Sequence, residues 1–297
     1  MSHQNPLFKK EEVKSPAVVL FMTLYVAAVI SSLFLNPLQA LVYILMSMGI
    51  LLLVWFIFGL TEKIKIEQIR VRRPWLELAF GLIFYVIFIY LPFPVFRFGD
   101  KWYLSSIVRK ELFLFAIPLT FLLLRRNSFI SLGLSSSNWG KNVKTGFIVL
   151  GCMAIPSLFF ISNTGNLIIT GRLNIVQVTL GFIILFFHNI ALSGLPEEFF
   201  YRSFVQTRLS IVLKSKLGGV LMISLIFGLS HVDDLMRWYP DMTLIEALCR
   251  AFFVQGFTGL VYGFLWARTN SLIPCIIVHS GLNALNGLGS AASLLKF

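Results

Sequence analysis

Polar residues along this chain fall in short clusters, and between them run long blocks with no alternation and no polar face. The blocks lie at 16–35, 38–60, 74–96, 111–124, 145–162, 176–195, 217–232, 247–267 and 271–290. All but the short fourth approach the ~20 apolar residues that a helix needs to cross a bilayer. A helix that is apolar all round belongs in lipid or deep inside a large core. The pattern therefore predicts an all-α, polytopic transmembrane helix bundle of eight or nine spans. Composition agrees, with 57% hydrophobic and 13% charged residues over 297 positions and a mean hydropathy of +0.84, more apolar surface than a soluble core hides.

The net charge of +12 invites a nucleic-acid reading, which its distribution removes. With the N-terminus placed in the cytoplasm and nine spans, Lys and Arg divide seventeen inside to eight outside, with Arg109 and Lys110 counted in an outside loop. That excess follows the positive-inside rule and leaves no need for a nucleic-acid partner. The polar start "MSHQNPLFKKEEVKSP" precedes an apolar run without a small-residue cleavage site, so a retained signal anchor is expected. Cys152, Cys249 and Cys275 sit in apolar blocks without CxxC spacing and read as small buried hydrophobes.

Ionisable residues distinguish the two ends. Up to about residue 175 the apolar blocks are nearly free of them. Beyond it, His188, Glu197, Glu198, Arg202, His231, His279 and Asn283 fall in or against the blocks. Ionisable groups in a membrane are costly and point by default to function. Residues 1–175 are accordingly expected to be a packing region and 176–297 the catalytic one.

Spacing suggests how these groups meet. Lys214 lies seventeen residues from both Glu197 and His231, so an antiparallel hairpin turning there brings the two to one height. A second hairpin near Arg268–Ser271 raises His279 and Asn283 into the bilayer. Glu198 and Arg202 stand i, i+4 with the acid first, the favourable order for a helical ion pair, whereas Glu197 is turned about 100° away. A carboxylate beside a histidine suits water activation, and the i, i+4 pair His279 and Asn283 suits an oxyanion. No serine or cysteine in the set has the base a covalent nucleophile requires, with Ser230 beside His231 left open.

The motifs "EEFFYR", "FGLSH" and "HSGLN" fit E-E-x-x-x-R, F-x-x-x-H and H-x-x-x-N in order. Together they resemble the CPBP family of intramembrane endopeptidases, the CAAX-protease and bacteriocin-processing group also called Abi, over about residues 176–290. The resemblance implies that Glu197 and His231 activate water, that His279 and Asn283 form the oxyanion site, and that Glu198 and Arg202 support it. It also implies a peptide or protein substrate, the lipid bilayer as surroundings and a bacterial plasma membrane as the location. Prenylated CAAX proteins, leader peptides, pheromones and bacteriocins all fit as substrates. Ser203 departs from the glycine that many members carry after the arginine.

Other readings compete. Intramembrane Glu, His and Arg also line transporters and proton relays, though matching broken halves are not seen. A non-catalytic chaperone or immunity member would have degenerate motifs, and these are intact. No cofactor is expected. The alternative, zinc on His231, His279 and a glutamate, lacks HExxH. Glu198 with Arg202 also reads as a structural pair, and His279 with Asn283 as interhelical hydrogen bonding. His188 reads as a satisfied interhelical histidine, His3 as inert, Gly256, Gly259 and Gly263 as a packing stripe, and Asp233, Asp234 and Asp241 as a solvated loop.

Overall fold

The computed structural model describes residues 15–61, 71–90, 102–134, 138–161 and 164–292. His3 and several basic positions used in the charge count, Lys9, Lys10, Lys14, Lys63, Lys65, Arg70, Arg97, Lys101 and Lys296, lie outside the described residues.

The described chain is helical, as its uninterrupted apolar blocks require. Helices α1 (Pro16–Leu35) and α2 (Pro37–Leu60) pack against each other. They are separated by Asn36, whose side chain accepts from the Gln39 amide at 3.1 Å. With Pro37 in the first turn, this is a standard helix start. Helix α3 (Pro74–Tyr90) follows. Next comes α4, built from Trp102–Lys110, a π-helical stretch Glu111–Ala116 and Ile117–Leu124. Helix α5 (Trp139–Pro156) and the short α6 (Thr164–Ile169) lead to α7, a rod of 38 residues from Ile175 to Val212. The chain then forms α8 (Lys216–Leu229), α9 (Val232–Trp238), α10 (Leu244–Thr269) and α11 (Leu272–Ala292).

Among the described residues seven helices are long and apolar enough to cross a membrane, with Pro74–Tyr90 a shorter apolar one. The protein is an integral membrane protein. This approximately agrees with the expected eight or nine spans: the third block is the shorter Pro74–Tyr90, and the fourth does not form a span-length apolar helix of its own. Residues 111–124 are the second half of a longer helix whose middle carries Arg109, Lys110 and Glu111, so length and apolarity do not coincide there.

Two reversals set the geometry. Lys214, at φ 51°, turns α7 into α8, and Ser215 caps α8 by accepting from the Gly218 amide at 2.8 Å. Asn270, at φ 47°, turns α10 into α11, a left-handed conformation that asparagine tolerates better than most residues. Arg268, just before that turn, reaches across to the end of α2, where Nε donates to Thr61 Oγ1 at 2.8 Å and Nη2 to the carbonyls of Phe58, at 3.0 Å, and Thr61. A cation on the unpaired carbonyls of a helix C-terminus is favourable.

Burial shows which helices form the centre. The apolar windows of α10 and α11 are 56% and 61% buried, against 11% for α1 and 22% for α2. The early helices are an outer layer, docked through rings: Tyr43 stacks on Phe253 at 4.8 Å and Phe21 meets Phe252 at 5.3 Å. Because lipid is as apolar as these side chains, such contacts act through packing. The glycine stripe lies where α10 faces α8. A Cβ on Gly228 of α8 would stand 2.8 Å from the Ala251 carbonyl and 3.1 Å from the Gly256 backbone.

The positive-inside count needs correction at this level. Arg109, Lys110, Arg202, Arg208 and Arg250 are not loop charges; they lie within helices. Arg208 is fully buried and donates from Nε to Glu77 Oε2 at 3.0 Å, while Arg125 reaches the other oxygen of Glu77 at 3.3 Å. Glu77 thus ties α3 to α7 and α4, an ionic contact in a region expected to be nearly charge-free. Side chains neutralised in this way do not report loop charge.

The close approach at Gly228 yields a test. Gly228→Ala should destabilise the protein by about 1–3 kcal/mol, the usual penalty of overpacking, read as an earlier thermal transition in detergent.

Candidate active site

The E-E-x-x-x-R segment is helical without a break, and its helix is not regular. π-helical turns at Ile190–Gly194 and Phe199–Gln206 flank the single α-turn Leu195–Glu198. Pro196 gives a local reason: its ring crowds the carbonyl four residues earlier and it donates no hydrogen bond, so the turn before it widens. Such bulges recur at functional sites. Gly194 belongs to the same contact, since a Cβ there would lie 2.2 Å from Ser280 Oγ on α11. That close approach sets the glutamates against α11.

Glu198 sits at the centre with no exposure. Arg202 Nε donates to Glu198 Oε2 at 3.0 Å, and the arginine is also fully buried. The His279 Nδ1 donates to Glu198 Oε1 at 2.7 Å. One carboxylate therefore joins α7 to itself and to α11. The Arg202 guanidinium lies against two rings, 5.2 Å from Phe227 and 5.5 Å from Tyr262, an arrangement that favours a desolvated cation.

Glu197 faces the other way, as its position on the helix required, and it has a partner. Lys110 Nζ of α4 is 2.5 Å from Glu197 Oε1, while Oε2 is 3.9 Å from His279 Nε2. Unlike that of Glu198, the partner of Glu197 is therefore not local. A lysine 87 residues away meets it only because α4 is helical where a loop was expected.

His231 begins α9. Its Nδ1 lies 2.7 Å from the Phe227 carbonyl, and because a carbonyl only accepts, Nδ1 carries the proton and the neutral ring keeps its lone pair on Nε2. Glu197 and His231 are within electrostatic range of each other. Ser230 Oγ also bonds to the Phe227 carbonyl at 2.8 Å and faces the protonated His231 nitrogen at 3.3 Å, which does not activate it as a nucleophile. The Tyr201 hydroxyl extends this group, 3.3 Å from Ser230 and 3.1 Å from Tyr85 on α3.

Phe227 explains the first position of F-x-x-x-H. Its ring packs edge-on against His231 at 4.7 Å and His279 at 5.8 Å, so one side chain spaces both imidazoles. Tyr262 stacks on His279, 5.0 Å away and 10° from parallel, and meets Phe227 edge-on at 6.0 Å. Asn283 stands one turn beyond His279, where its amide donates to Ser193 Oγ at 2.9 Å and anchors α11 to α7. The structure thus links Glu197, Glu198, Arg202 and His279 directly, joins His231 through Phe227, and holds Asn283 at Ser193.

The family model for a type II CAAX prenyl endopeptidase, Rce1-like, matches residues 179–285. Those residues are an Rce1-like domain. All three motifs lie in it, whereas Lys110 and Tyr85 come from helices outside it. No curated protein and no solved structure matches the chain. The match supports, in general terms, an intramembrane endopeptidase activity of the CAAX type. Among the described residues no group of three or more His, Cys, Asp or Glu side chains is placed to hold a metal ion. In the alternative set of His231, His279 and Glu197, one oxygen of Glu197 is engaged by Lys110.

Lys110, Phe227, Tyr262 and Ser193 are the residues of this neighbourhood without an assigned role in the sequence reading. Phe227 was visible as the first letter of its motif. Lys110 carried only the signal of a charged cluster, "VRKEL", leading into an apolar helix.

Removing one partner of the Glu198–Arg202 pair leaves a buried charge uncompensated. Arg202→Met should therefore lower stability by about 3–5 kcal/mol, whereas Glu198→Gln combined with Arg202→Met should recover part of that loss. Thermal melts of the single and double variants in one detergent check both statements.

Proposed function

We propose that the Rce1-like domain hydrolyses a peptide bond of a membrane-associated peptide or protein by water activated between Glu197 and His231. The pairing of Glu198 with His279 is the observation that carries this reading. It fixes the imidazole so that Nε2 points into the space beside Glu197, 3.9 Å from Oε2. A separation of that size is close to what one bridging atom spans, and it places a carboxylate base next to a directed donor.

In this reading Glu197 takes the proton of the attacking water, and the Nε2 lone pair of His231 helps orient it. Doubly protonated His279 donates from Nδ1 to Glu198 and from Nε2 toward the oxygen that gains charge as the carbonyl becomes tetrahedral. Asn283 supports the same oxygen with the amide hydrogen not given to Ser193. Stabilisation of developing charge in a dry site is usually a large part of catalysis. Glu198 and Arg202 act by holding His279 and do not touch substrate. The proton taken by Glu197 passes to the leaving amine as the C–N bond breaks, so the carboxylate is regenerated at each turnover. No metal has a step in this scheme.

Two experiments test it. Glu197→Gln should lower cleavage by at least about 10²-fold, within the span expected for loss of a general base, with an unchanged melt; comparative peptidomics of membranes carrying either form reads the loss. Cleavage by the purified enzyme should be unaffected by 1,10-phenanthroline, and inhibition reversed by added zinc would replace the scheme with a metal-dependent one.

A further inference from the structure

The contact between Lys110 and Glu197 presents a difficulty for the proposed base and suggests what the substrate carries. Lys110 stands on the open side of the pair, with its side chain 23% exposed against 9% for Glu197. The neighbouring cations are otherwise engaged. Arg202 is tied to Glu198, and Arg109 donates to the Phe88 carbonyl and lies over the Phe88 ring at 5.1 Å.

For Glu197 to act on water, the ammonium on Oε1 has to move away. Moving it without a replacement takes its nearest ion-pair partner from each charge in a largely buried site, which is unfavourable. An incoming carboxylate removes that obstacle. The lysine then exchanges one carboxylate partner for another, remains paired throughout, and frees Glu197 at the moment substrate arrives. A neutral chain end offers no such exchange.

Resting on the proposed role of Glu197 as base, we infer that Lys110 is a specificity-determining residue whose ammonium passes from Glu197 to a substrate carboxylate lying within a few residues of the scissile bond. The free C-terminus of a short leaving peptide supplies this group, and so does an acidic side chain at the same distance. The flexible four-carbon stem of lysine suits a cation that must change partners, where the rigid fork of arginine suits one that stays in place. The device also keeps the base occupied when no suitable substrate is present. It comes from α4, outside residues 179–285, so the preference is added to the Rce1-like domain by the N-terminal helices.

The test uses purified full-length protein in lipid nanodiscs and one peptide library in two forms, ending in a free carboxylate or in a carboxamide, with cleavage read by mass spectrometry. Wild-type protein should favour the carboxylate form by at least about tenfold in kcat/KM, a common scale for discrimination by one interaction. Lys110→Met should bring the ratio close to one whatever the change in the absolute rates, and Lys110→Arg should keep part of the preference. A purely structural lysine would lower both rates in parallel and leave the ratio unchanged, which would overturn the inference. Equal rates for the two forms in wild-type protein would overturn it without any variant, so a Lys110→Met protein that fails to fold does not remove the test. If wild-type protein cleaves neither form, the hydrolytic reading fails separately. Binding of the two libraries to wild-type protein then decides the role of Lys110: tighter capture of the carboxylate form supports it, and equal capture ends it.

Discussion

A single buried carboxylate organises the centre of this protein. Glu198 has no exposure, receives Arg202 on one oxygen and His279 on the other, and so joins α7 to α11. An ionised group in lipid surroundings is tolerated only when its partners are present and well placed. The positions of α7, α8, α10 and α11 are consistent with that demand. Gly194 permits the approach to α11, and Phe227 and Tyr262 cover the guanidinium and space the imidazoles. If the bridge between Arg202 and His279 is lost, the direction of His279 Nε2 is lost with it.

The architecture separates burial from spanning. Helices α10 and α11 are apolar because they are enclosed by protein, and α1 and α2 because they face lipid, yet their sequences look alike. The candidate site collects in the enclosed set, where polar side chains find partners. The outer layer is not inert. Through Lys110 and Tyr85 it reaches the proposed base and the hydroxyl group beside His231, and through Glu77 it is bound ionically to α7. The division at residue 175 describes where the motifs are, while the site draws on both sides of it.

A comparison of particular residues shows how far the sequence reached. The hairpin about Lys214 and the pairing of Glu198 with Arg202 were legible because both follow from local rules, one from equal arm lengths and one from helical periodicity. The opposite facing of Glu197 followed from the same 100° step. Its pairing with Lys110 did not, because the charges of "VRKEL" resemble a loop until the helix on either side is seen as continuous. The link from His279 to Glu198 was likewise hidden: the spacing placed His279 at the right depth without saying which glutamate it would meet.

Sequence alone determined that this chain is a helical membrane protein and singled out the residues now proposed to carry its chemistry, since apolar length and i, i+4 spacing are properties of a single helix in lipid. Tertiary structure decided the partners: Glu198 for His279, Lys110 for Glu197, Phe227 between the two imidazoles, and Ser193 for Asn283. Those choices depend on the rotation and depth of one helix against another. They are set by close approaches at Gly194 and Gly228 and by π-helical turns that shift the phase of α7, and neither is expressed in the periodicity of any one segment.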